Sequence, residues 1–409
     1  MKKIYLIFIL AIIGLSANSQ RAYITNEYDK TVSVINVATN TVTTTITGFD
    51  YPYGVSVSPD GSKVYIANLE GNTVSVINTV SDTVSATISF GYSQPDGICA
   101  SQDGSKVYVA GMMDNFVYVI NTSTNQVTDT IAVGEMPLGI CSSPDGSKVY
   151  VANEGSNTIS VISSATNTIL TTIKVGLWPN GISVSPNGDK VYVTNYTSNT
   201  VSVINSAANT VSDSITVGHP AGICVSSDGS KVYIANDSNN TINVINTVLN
   251  TVTDTIPVGD NPMGISISPD GSKLYVANDN GFGSVSVINC ATNTVTNTIP
   301  VGNGPFALGN FISTSTVGIA LQNMVQVDIA IYPNPATNIM TIESPQEEVG
   351  SDGKRESVIE ITNIEGQLIK TFTTIGNKTN INVATLPDGV YIVEMKTEKG
   401  FAVGKFIKE

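Results

Sequence analysis

The strongest constraint on this chain is a sequence unit that recurs about every 42 residues. Its signature is Tyr, then Val or Ile, then Ala or Thr, then Asn, although the third copy ends in Gly111. The copies begin at Tyr23, Tyr65, Tyr108, Tyr150, Tyr192, Tyr233 and Tyr275. A period of roughly 40–50 residues is typical of propellers and solenoids, in which each unit packs on its neighbours.

Each copy divides into four predicted strands, named A to D. In the copy from Gly181 to Gly218, short segments rich in β-branched residues alternate with turns. The predicted strands are A at 181–185, B at 190–194, C at 200–204 and D at 210–217. Three of the six A–B turns carry Pro-Asp-Gly, which favours a tight hairpin. Four strands at this period predict an all-β fold, a β-propeller.

The two ends of the repeat predict how the propeller closes. The first copy starts at strand B, and a lone strand A, residues 305–312, follows the last copy. We therefore expect seven blades, with the C-terminal strand completing the N-terminal blade. Such closure hides two sheet edges that would otherwise pair with other chains.

The signature, the Ser-Pro-Asp-Gly-Ser-Lys turn and the Thr-Asn-Thr-Val stretch together resemble the YVTN family of β-propellers. The resemblance covers residues 22–312. It implies kinship with bacterial and archaeal surface proteins and with periplasmic YncE-like propellers. The Gly-His and Trp-Asp signatures of WD40 repeats are absent from the sequence.

Four segments follow from the composition along the chain. Residues 1–19 combine two lysines, a short apolar run and small residues, which predicts a secretory signal peptide. Residues 20–312 form the predicted propeller, and residues 313–326 a Ser/Thr-containing linker. Residues 327–409 alternate strands with Gly, Pro and Asn turns, which predicts a small immunoglobulin-like β-sandwich.

The last segment resembles the type IX secretion sorting domain, the Por secretion tail of type A. Its landmarks, in order, are Tyr332, Pro333, Asn334, Pro335, Gly366, Gly389, Tyr391 and Lys405. The resemblance implies export across an outer membrane by the type IX machinery. It also implies a passenger that is secreted, or attached to surface lipopolysaccharide, after the tail is removed. The alternative is an Ig-like binding module, because fold alone does not fix function.

The charge balance excludes several classes of partner and site. There are 33 acidic against 19 basic residues, a net charge of −14, which argues against nucleic acid and anionic membranes. The chain has one histidine, His219, and two arginines. This count disfavours a His-ligated metal and an Arg-clamped phosphate. We therefore expect no cofactor, no metal and a monomer.

The copies differ from one another mainly at one end of the repeat. The A–B and C–D turns, here called the constant face, barely change, whereas the B–C and D–A loops, the variable face, differ in every copy. Aromatic side chains amid acids and amides are typical of binding surfaces. The alternative is drift in unconstrained loops. The candidate ligand-binding residues are Tyr51, Tyr53, Tyr92, Phe116, Glu135, Trp178, Tyr196, His219 and Phe282.

Other reactive residue types have structural explanations. Three of the four cysteines, Cys99, Cys141 and Cys224, take equivalent strand A positions, where we expect small buried residues rather than disulfides. Each turn aspartate, such as Asp145, precedes a lysine by three residues, and we expect that lysine to neutralise it.

Two classes of function remain open. The first is a non-catalytic surface protein that binds a glycan, a peptide or another cell component through the variable face. The second is an extracellular propeller hydrolase or lyase, resembling lactonases in fold alone. We predict no catalytic residues, since the innermost strands carry Gly, Ser, Cys and Ile. Convergence of Asp50, Asp96 and Glu135 at the channel mouth would favour the enzyme.

Overall fold

The computed structural model describes residues 20–279, 281–313, 325–326, 329–343, 356–363, 368–375, 378–396 and 400–409. The chain divides into two compact units, Met1–Val317 and Gly318–Glu409. The predicted signal peptide, most of the predicted linker and the sorting landmark Gly366 lie outside the described residues. Those three expectations, and the predicted segment boundaries, stay predictions.

The first unit consists of consecutive antiparallel sheets, numbered here in chain order. Sheets 1 to 3 contain β1 (Arg21–Asn26), β2 (Thr31–Asn36) and β3 (Thr41–Thr47); β4 (Pro52–Val57), β5 (Lys63–Asn68), β6 (Thr73–Asn78) and β7 (Thr83–Ser89); and β8 (Pro95–Ala100), β9 (Lys106–Gly111), β10 (Phe116–Asn121) and β11 (Gln126–Ala132). Sheets 4 and 5 contain β12 (Pro137–Ser142), β13 (Lys148–Asn153), β14 (Thr158–Ser163) and β15 (Thr168–Lys174); and β16 (Pro179–Val184), β17 (Lys190–Asn195), β18 (Thr200–Asn205) and β19 (Thr210–Thr216). Sheets 6 and 7 contain β20 (Pro220–Val225), β21 (Lys231–Asn236), β22 (Thr241–Asn246) and β23 (Thr251–Pro257); and β24 (Pro262–Ile267), β25 (Lys273–Asn278), β26 (Ser284–Asn289) and β27 (Thr294–Pro300).

The expected all-β repeat of four-stranded sheets is confirmed, and the arrangement is propeller-like. Among the described residues the single helix is a three-residue 3-10 turn, Asp237–Asn239. Sheet 1 has three strands, because its chain begins at the predicted strand B. The predicted strand bounds differ from the observed ones by one or two residues, as at β16, which begins at Pro179.

Burial falls from the second strand of a sheet to the fourth. In β5, β13 and β21 every residue after the lysine is buried, as expected of strands covered on both faces by neighbouring sheets. In β19 and β23 only the isoleucine is buried. The fourth strand therefore lies outermost, and the core is divided among the interfaces between successive sheets.

A ring of cations links each sheet to the next at the constant face. The residue that opens the second strand, or β1 in the three-stranded sheet 1, donates to a main-chain carbonyl in the C–D turn of the following sheet. These contacts are Arg21 Nη1 to Thr79 O (2.9 Å), Lys63 Nζ to Thr122 O (2.5 Å), Lys106 Nζ to Ser164 O (2.7 Å), Lys148 Nζ to Ser206 O (2.7 Å), Lys190 Nζ to Thr247 O (2.7 Å), Lys231 Nζ to Cys290 O (2.8 Å) and Lys273 Nζ to Val37 O (2.8 Å). The last contact joins sheet 7 to sheet 1.

This geometry corrects the expectation that each turn lysine neutralises its aspartate. Within the part of the chain that the structure describes, no turn aspartate forms an ion pair with the lysine three residues later. Serines hold the aspartates instead: Ser143 Oγ donates to Asp145 Oδ1 at 2.5 Å, and the Ser147 amide to the same oxygen at 3.0 Å. The lysine ammonium donates instead to a main-chain carbonyl of the next sheet.

Residues 305–313 return to sheet 1, less regularly than the other first strands. Isolated bridges pair Ala22 with Ile312 and Asn26 with Pro305. The same segment also lies parallel to β4, since the Val55 amide donates to Leu308 O at 2.9 Å. Ala307 and Gly309 have φ of 47° and 116°, which interrupts a regular ladder. The segment therefore bridges sheets 1 and 2.

A central cavity of about 600 Å³ is lined by the first strands of sheets 2 to 7 and by residues 308–310 and 312. Cys99, Cys141 and Cys224 line it, and all four cysteines are free. Burial raises the pKa of the Cys141 and Cys224 thiols to about 12. The thiolate form of these cysteines is therefore disfavoured, and they line the cavity as small residues.

The second unit contains two sheets around one core. The strands are β28 (Val325–Gln326), β29 (Ala330–Tyr332), β30 (Ile339–Glu343), β31 (Glu356–Asn363), β32 (Leu368–Ile375), β33 (Lys378–Asn382), β34 (Gly389–Lys396) and β35 (Gly400–Lys408). One sheet has the order β28-β35-β34-β31-β32, and the other β29-β30-β33. Met340, Ile361 and Phe406 meet in the shared core. The predicted immunoglobulin-like topology stays a prediction.

Candidate functional site

One position on the variable face is held in a left-handed backbone conformation in every D–A segment of sheets 1 to 6. It is the residue before the proline that opens the next sheet. The φ angles are 52° at Tyr51, 47° at Gln94, 51° at Met136, 55° at Trp178, 20° at His219 and 53° at Asn261. Gly and Asn tolerate this region best, whereas other residues are strained by about 1–2 kcal/mol.

Hydrogen bonds to both sides of the residue impose that conformation. The Trp178 amide donates to Asn157 Oδ1 at 2.8 Å, and the Trp178 carbonyl accepts the Tyr196 amide at 2.9 Å. Met136 is held in the same way by Asn115 and Glu154. The strained backbone is therefore a property of the repeat, while the side chain at this position is free to vary.

Two of the bulky side chains at this position face solvent, whereas Tyr51 is half-buried. Trp178 is 51% exposed and Met136 is 40% exposed, and Leu177 beside the tryptophan is also exposed. Asn261 alone is the residue type that the backbone prefers. Strained conformations that persist without a packing benefit are a hint of function.

The other candidates from the sequence are distributed around the same face. Tyr92, Glu135 and Phe282 are exposed. Phe116 is the first residue of β10 rather than a loop residue, and its side chain is 37% exposed. The Tyr51 ring receives Lys30 Nζ at 4.7 Å from its centroid.

Two of the candidate tyrosines, Tyr196 and Tyr53, each contact another aromatic ring. Tyr196 and His219 meet edge to face with their ring centroids 5.5 Å apart, and Tyr196 Oη donates to the buried Asp237 at 2.7 Å. Tyr53 lies within β4, half buried, and its ring centroid is 4.2 Å from that of Phe306. Tyr53 is therefore a wall of the channel mouth rather than an exposed loop anchor.

The three acids whose convergence would favour an enzyme, Asp50, Asp96 and Glu135, lie in different surroundings. Asp50 pairs with Lys30 at 2.8 Å on the surface, and Glu135 is exposed. Asp96 is only 5% exposed and interacts instead with Glu27 and Glu154, which sequence reasoning missed. Both glutamates directly follow the signature Asn, a position that Leu69, Met112, Tyr196, Asp237 and Asp279 fill in the other copies. An alignment of the seven copies would have shown four acids among the seven residues at this position.

Burial and mutual repulsion disfavour ionisation of this cluster. Desolvation, then the charges of Glu154 and Glu27, raise the pKa of Asp96 to about 7. Desolvation also raises the pKa of Glu27, although a hydrogen bond from Tyr53 acts in the opposite direction. The pKa values of Glu154 and Asp279 are raised by burial as well. The cluster thus contains one carboxyl group, Asp96, whose pKa lies near neutrality.

Two further classes of site find no support in the described part of the chain. Among those residues no three His, Cys, Asp or Glu side chains are placed to hold a metal ion. Within the same residues, no helix has the length and the apolar character needed to cross a bilayer.

Three of the described sorting landmarks, Asn334, Tyr391 and Lys405, make contacts within the second unit. Asn334 Nδ2 donates to Lys405 O at 2.9 Å, and its Oδ1 accepts the Ile407 amide at 2.9 Å. Tyr391 stacks on Phe406 with their ring centroids 5.3 Å apart. The Tyr-Pro-Asn-Pro segment therefore fastens the start of the unit to its last strand, β35.

Comparison with known families identifies the two parts of the chain separately. Residues 330–409 match the secretion system C-terminal sorting domain, and residues 110–260 match the choice-of-anchor I domain. The protein therefore interacts with the type IX secretion machinery and is extracellular or located at the cell surface. No curated protein sequence matches the chain.

Solved structures share the propeller-like fold. A hydrazine synthase chain from Kuenenia stuttgartiensis is 22% identical, with a TM-score of 0.58, over 64% of this chain and 90% of that one. A functionally unknown protein from Desulfotomaculum acetoxidans DSM 771 is 18% identical, with a TM-score of 0.62, over 72% of this chain and 98% of that one. At such identities the likeness shows the fold alone.

Proposed function

We propose that the first unit is a seven-bladed β-propeller of the YVTN type, closed by residues 305–312. Two observations support closure: Lys273 of sheet 7 donates to Val37 of sheet 1, and one core cluster contains residues of sheets 7, 1 and 2 together with Phe311 and Ile312. The propeller would then be a rigid platform that holds the loops of the variable face in fixed positions.

On this platform, we propose a non-catalytic surface protein that binds a glycan or peptide through the variable face. The observation that carries the proposal is the set of large side chains at left-handed positions, above all Trp178. An indole packs well on the apolar face of a sugar or on a peptide and donates one hydrogen bond. Stability alone would favour Asn or Gly there.

Screening the purified propeller against glycan and peptide arrays tests this function. Trp178→Ala is expected to weaken binding of any hit by about 2 kcal/mol or more, the scale of an interface hot spot. Asp145→Ala on the constant face is the matched control and should leave binding unchanged. Equal binding by Trp178→Ala and the parent would refute the role of this face.

A second candidate is a hydrolase or lyase with an acidic site at the channel mouth. The buried Asp96, with Glu27 and Glu154 nearby, favours it, because a carboxyl group with a pKa near neutrality suits general acid or base catalysis. Turnover of lactones that is lost in Asp96→Asn would establish the enzyme. A parent protein without turnover on a panel of lactones and polysaccharides would argue against it.

The ends of the chain complete the proposal. Residues 1–19 direct the protein to the periplasm, and the tail carries it across the outer membrane, after which the passenger is released or attached to lipopolysaccharide. Removing residues 327–409 should leave the propeller folded in the periplasm. Cell fractionation that still finds the truncated protein on the surface would contradict the sorting role.

A further inference from the structure

The carboxylates of the channel mouth come from separate sheets and lie at the same end of the repeat. Glu27 follows β1, Asp96 lies in β8, Glu154 follows β13 and Asp279 follows β25. Glu27 and Asp96 are 7% and 5% exposed. Glu27 and Glu154 act electrostatically on Asp96, and Asp279 acts on Glu27. Four acids that lie far apart in the sequence therefore share one small region.

Asp96 carries a buried polar atom without a partner. Among the described residues, nothing forms a hydrogen bond with its Oδ1. A buried carboxylate oxygen without a donor costs at least about 1–3 kcal/mol, which native proteins normally avoid. The two charged groups that act on Asp96, Glu154 and Glu27, are also acids and make the cost larger. The group lacks what a positively charged ligand would supply.

The protein supplies little positive charge to this region. The cations that open the second strands all donate to the constant face at the opposite end of the sheets. Lys30, on the variable face, is bound to Asp50 at 2.8 Å. Lys174 is exposed at the end of the outermost strand β15. The charge of the cluster therefore has to be balanced by protons or by a ligand.

The cluster does not suit a metal ion. In the described residues no three acidic, His or Cys side chains are close enough to ligate one. An organic cation tolerates more dispersed carboxylates, since its charge lies on several N–H donors. The neighbouring residues at the same level are apolar or aromatic: Tyr53 packs on Phe306, and Leu138 is buried. Rings and aliphatic side chains hold the body of such a cation well.

We propose that the mouth of the propeller on the variable face binds an alkylammonium group, with Asp96, Glu27 and Glu154 as its anionic partners. The group is either a lysine side chain of a partner protein or a free aliphatic amine. This inference rests on the proposed binding function of the face. It specifies the chemical class of the ligand at the mouth of the propeller, whereas Trp178 lies on the surrounding loops.

The proposal is tested by calorimetric titration of the full chain at pH 8 and pH 6. The titrants are cadaverine, an oligolysine peptide, 1,5-pentanediol and Ca²⁺. Binding of cadaverine or the peptide is expected, with none of the neutral diol. Asp96→Asn should weaken amine binding at least tenfold, and Asp145→Asn on the constant face should leave it unchanged. The peptide binding more tightly than cadaverine would indicate a protein partner, and the reverse order a free amine.

The pH dependence supplies an independent measurement. Asp96 is faced by Glu27, Glu154 and Tyr53, and it must be ionised to bind a cation. Affinity for the amine should therefore fall severalfold from pH 8 to pH 6 in the parent, and change less in Asp96→Asn.

Three outcomes would overturn the inference: no amine binding at millimolar concentration, binding of Ca²⁺ alone, or amine binding that Asp96→Asn leaves intact. Failure here is distinguishable from failure of the proposed function. Suppose that a neutral glycan binds, that Trp178→Ala abolishes this binding, and that no amine binds. The proposed binding function of the variable face would then stand, and the amine site alone would be refuted.

Discussion

The two ends of the repeated sheet both have a regular backbone, but they differ in how far their side chains vary between copies. At the constant face the same residues recur and stabilise the fold, since serine hydroxyls bind the turn aspartate and the following lysine or arginine reaches the next sheet. At the variable face the backbone is equally regular, yet the side chains at its strained position change from copy to copy. One end holds the sheets together, and the other carries chemistry that stability does not require.

Carboxyl groups show the contrast most clearly. Hydrogen bonds from Ser143 and Ser147 lower the pKa of Asp145 to about 2. Burial and like charges raise the pKa of Asp96 to about 7. The first carboxylate is stabilised by its surroundings, and the second is destabilised. A protein selected for stability alone would not retain the second arrangement, which supports the proposal that function lies at the variable face.

The largest effect is expected from removing the segment that bridges sheets 1 and 2. Deletion of residues 305–312 exposes the edge of β1 and removes Phe311 and Ile312 from the core. We expect loss of cooperative unfolding, or aggregation, because an unpaired edge strand recruits other chains. Calorimetry and light scattering measure both. A deletion variant that unfolds as sharply as the parent, at a similar temperature, would contradict closure.

A second effect concerns Asp96 and depends on pH. Its folded-state pKa of about 7 lies above the ordinary value of 3.8, so the folded protein loses stability as pH rises between those values. Asp96→Asn removes that loss, which reaches about 4 kcal/mol at most above pH 7. Urea unfolding of parent and variant should agree near pH 4 and favour the variant at pH 8. A variant that is less stable at pH 8 would show that Asp96 is stabilised by a contact in the native protein.

The cation ring provides a third test, on the constant face. Lys148→Met keeps much of the aliphatic side chain but removes the donor to Ser206 O. A hydrogen bond from a charged donor contributes about 1.5–3 kcal/mol. We therefore expect unfolding at lower urea with unchanged ligand binding. Binding lost together with stability would show that the two faces are coupled.

The repeat itself made most of the fold predictable. Strand positions followed from β-branched segments and Pro-Asp-Gly turns, since both act locally. The partner of each lysine was not predictable, because Ser206 lies far from Lys148 in the sequence and Asp145 lies close. The acidic mouth was missed for a related reason: Glu27, Asp96 and Glu154 lie in different copies of the repeat, and only the folding of the first unit brings them near one another. The strain at Trp178 is a backbone property that no residue pattern displays.

The central claim is that large side chains at the left-handed positions serve binding at the expense of stability. The most direct measurement is the free energy of unfolding of a triple variant, Tyr51→Asn, Met136→Asn and Trp178→Asn, in urea at pH 7. Asn261 shows that the repeat accepts Asn there. Partial relief of strain at three sites predicts a gain of about 1–3 kcal/mol. A variant that is less stable than the parent would mean that these side chains pack the fold, and the claim would be wrong.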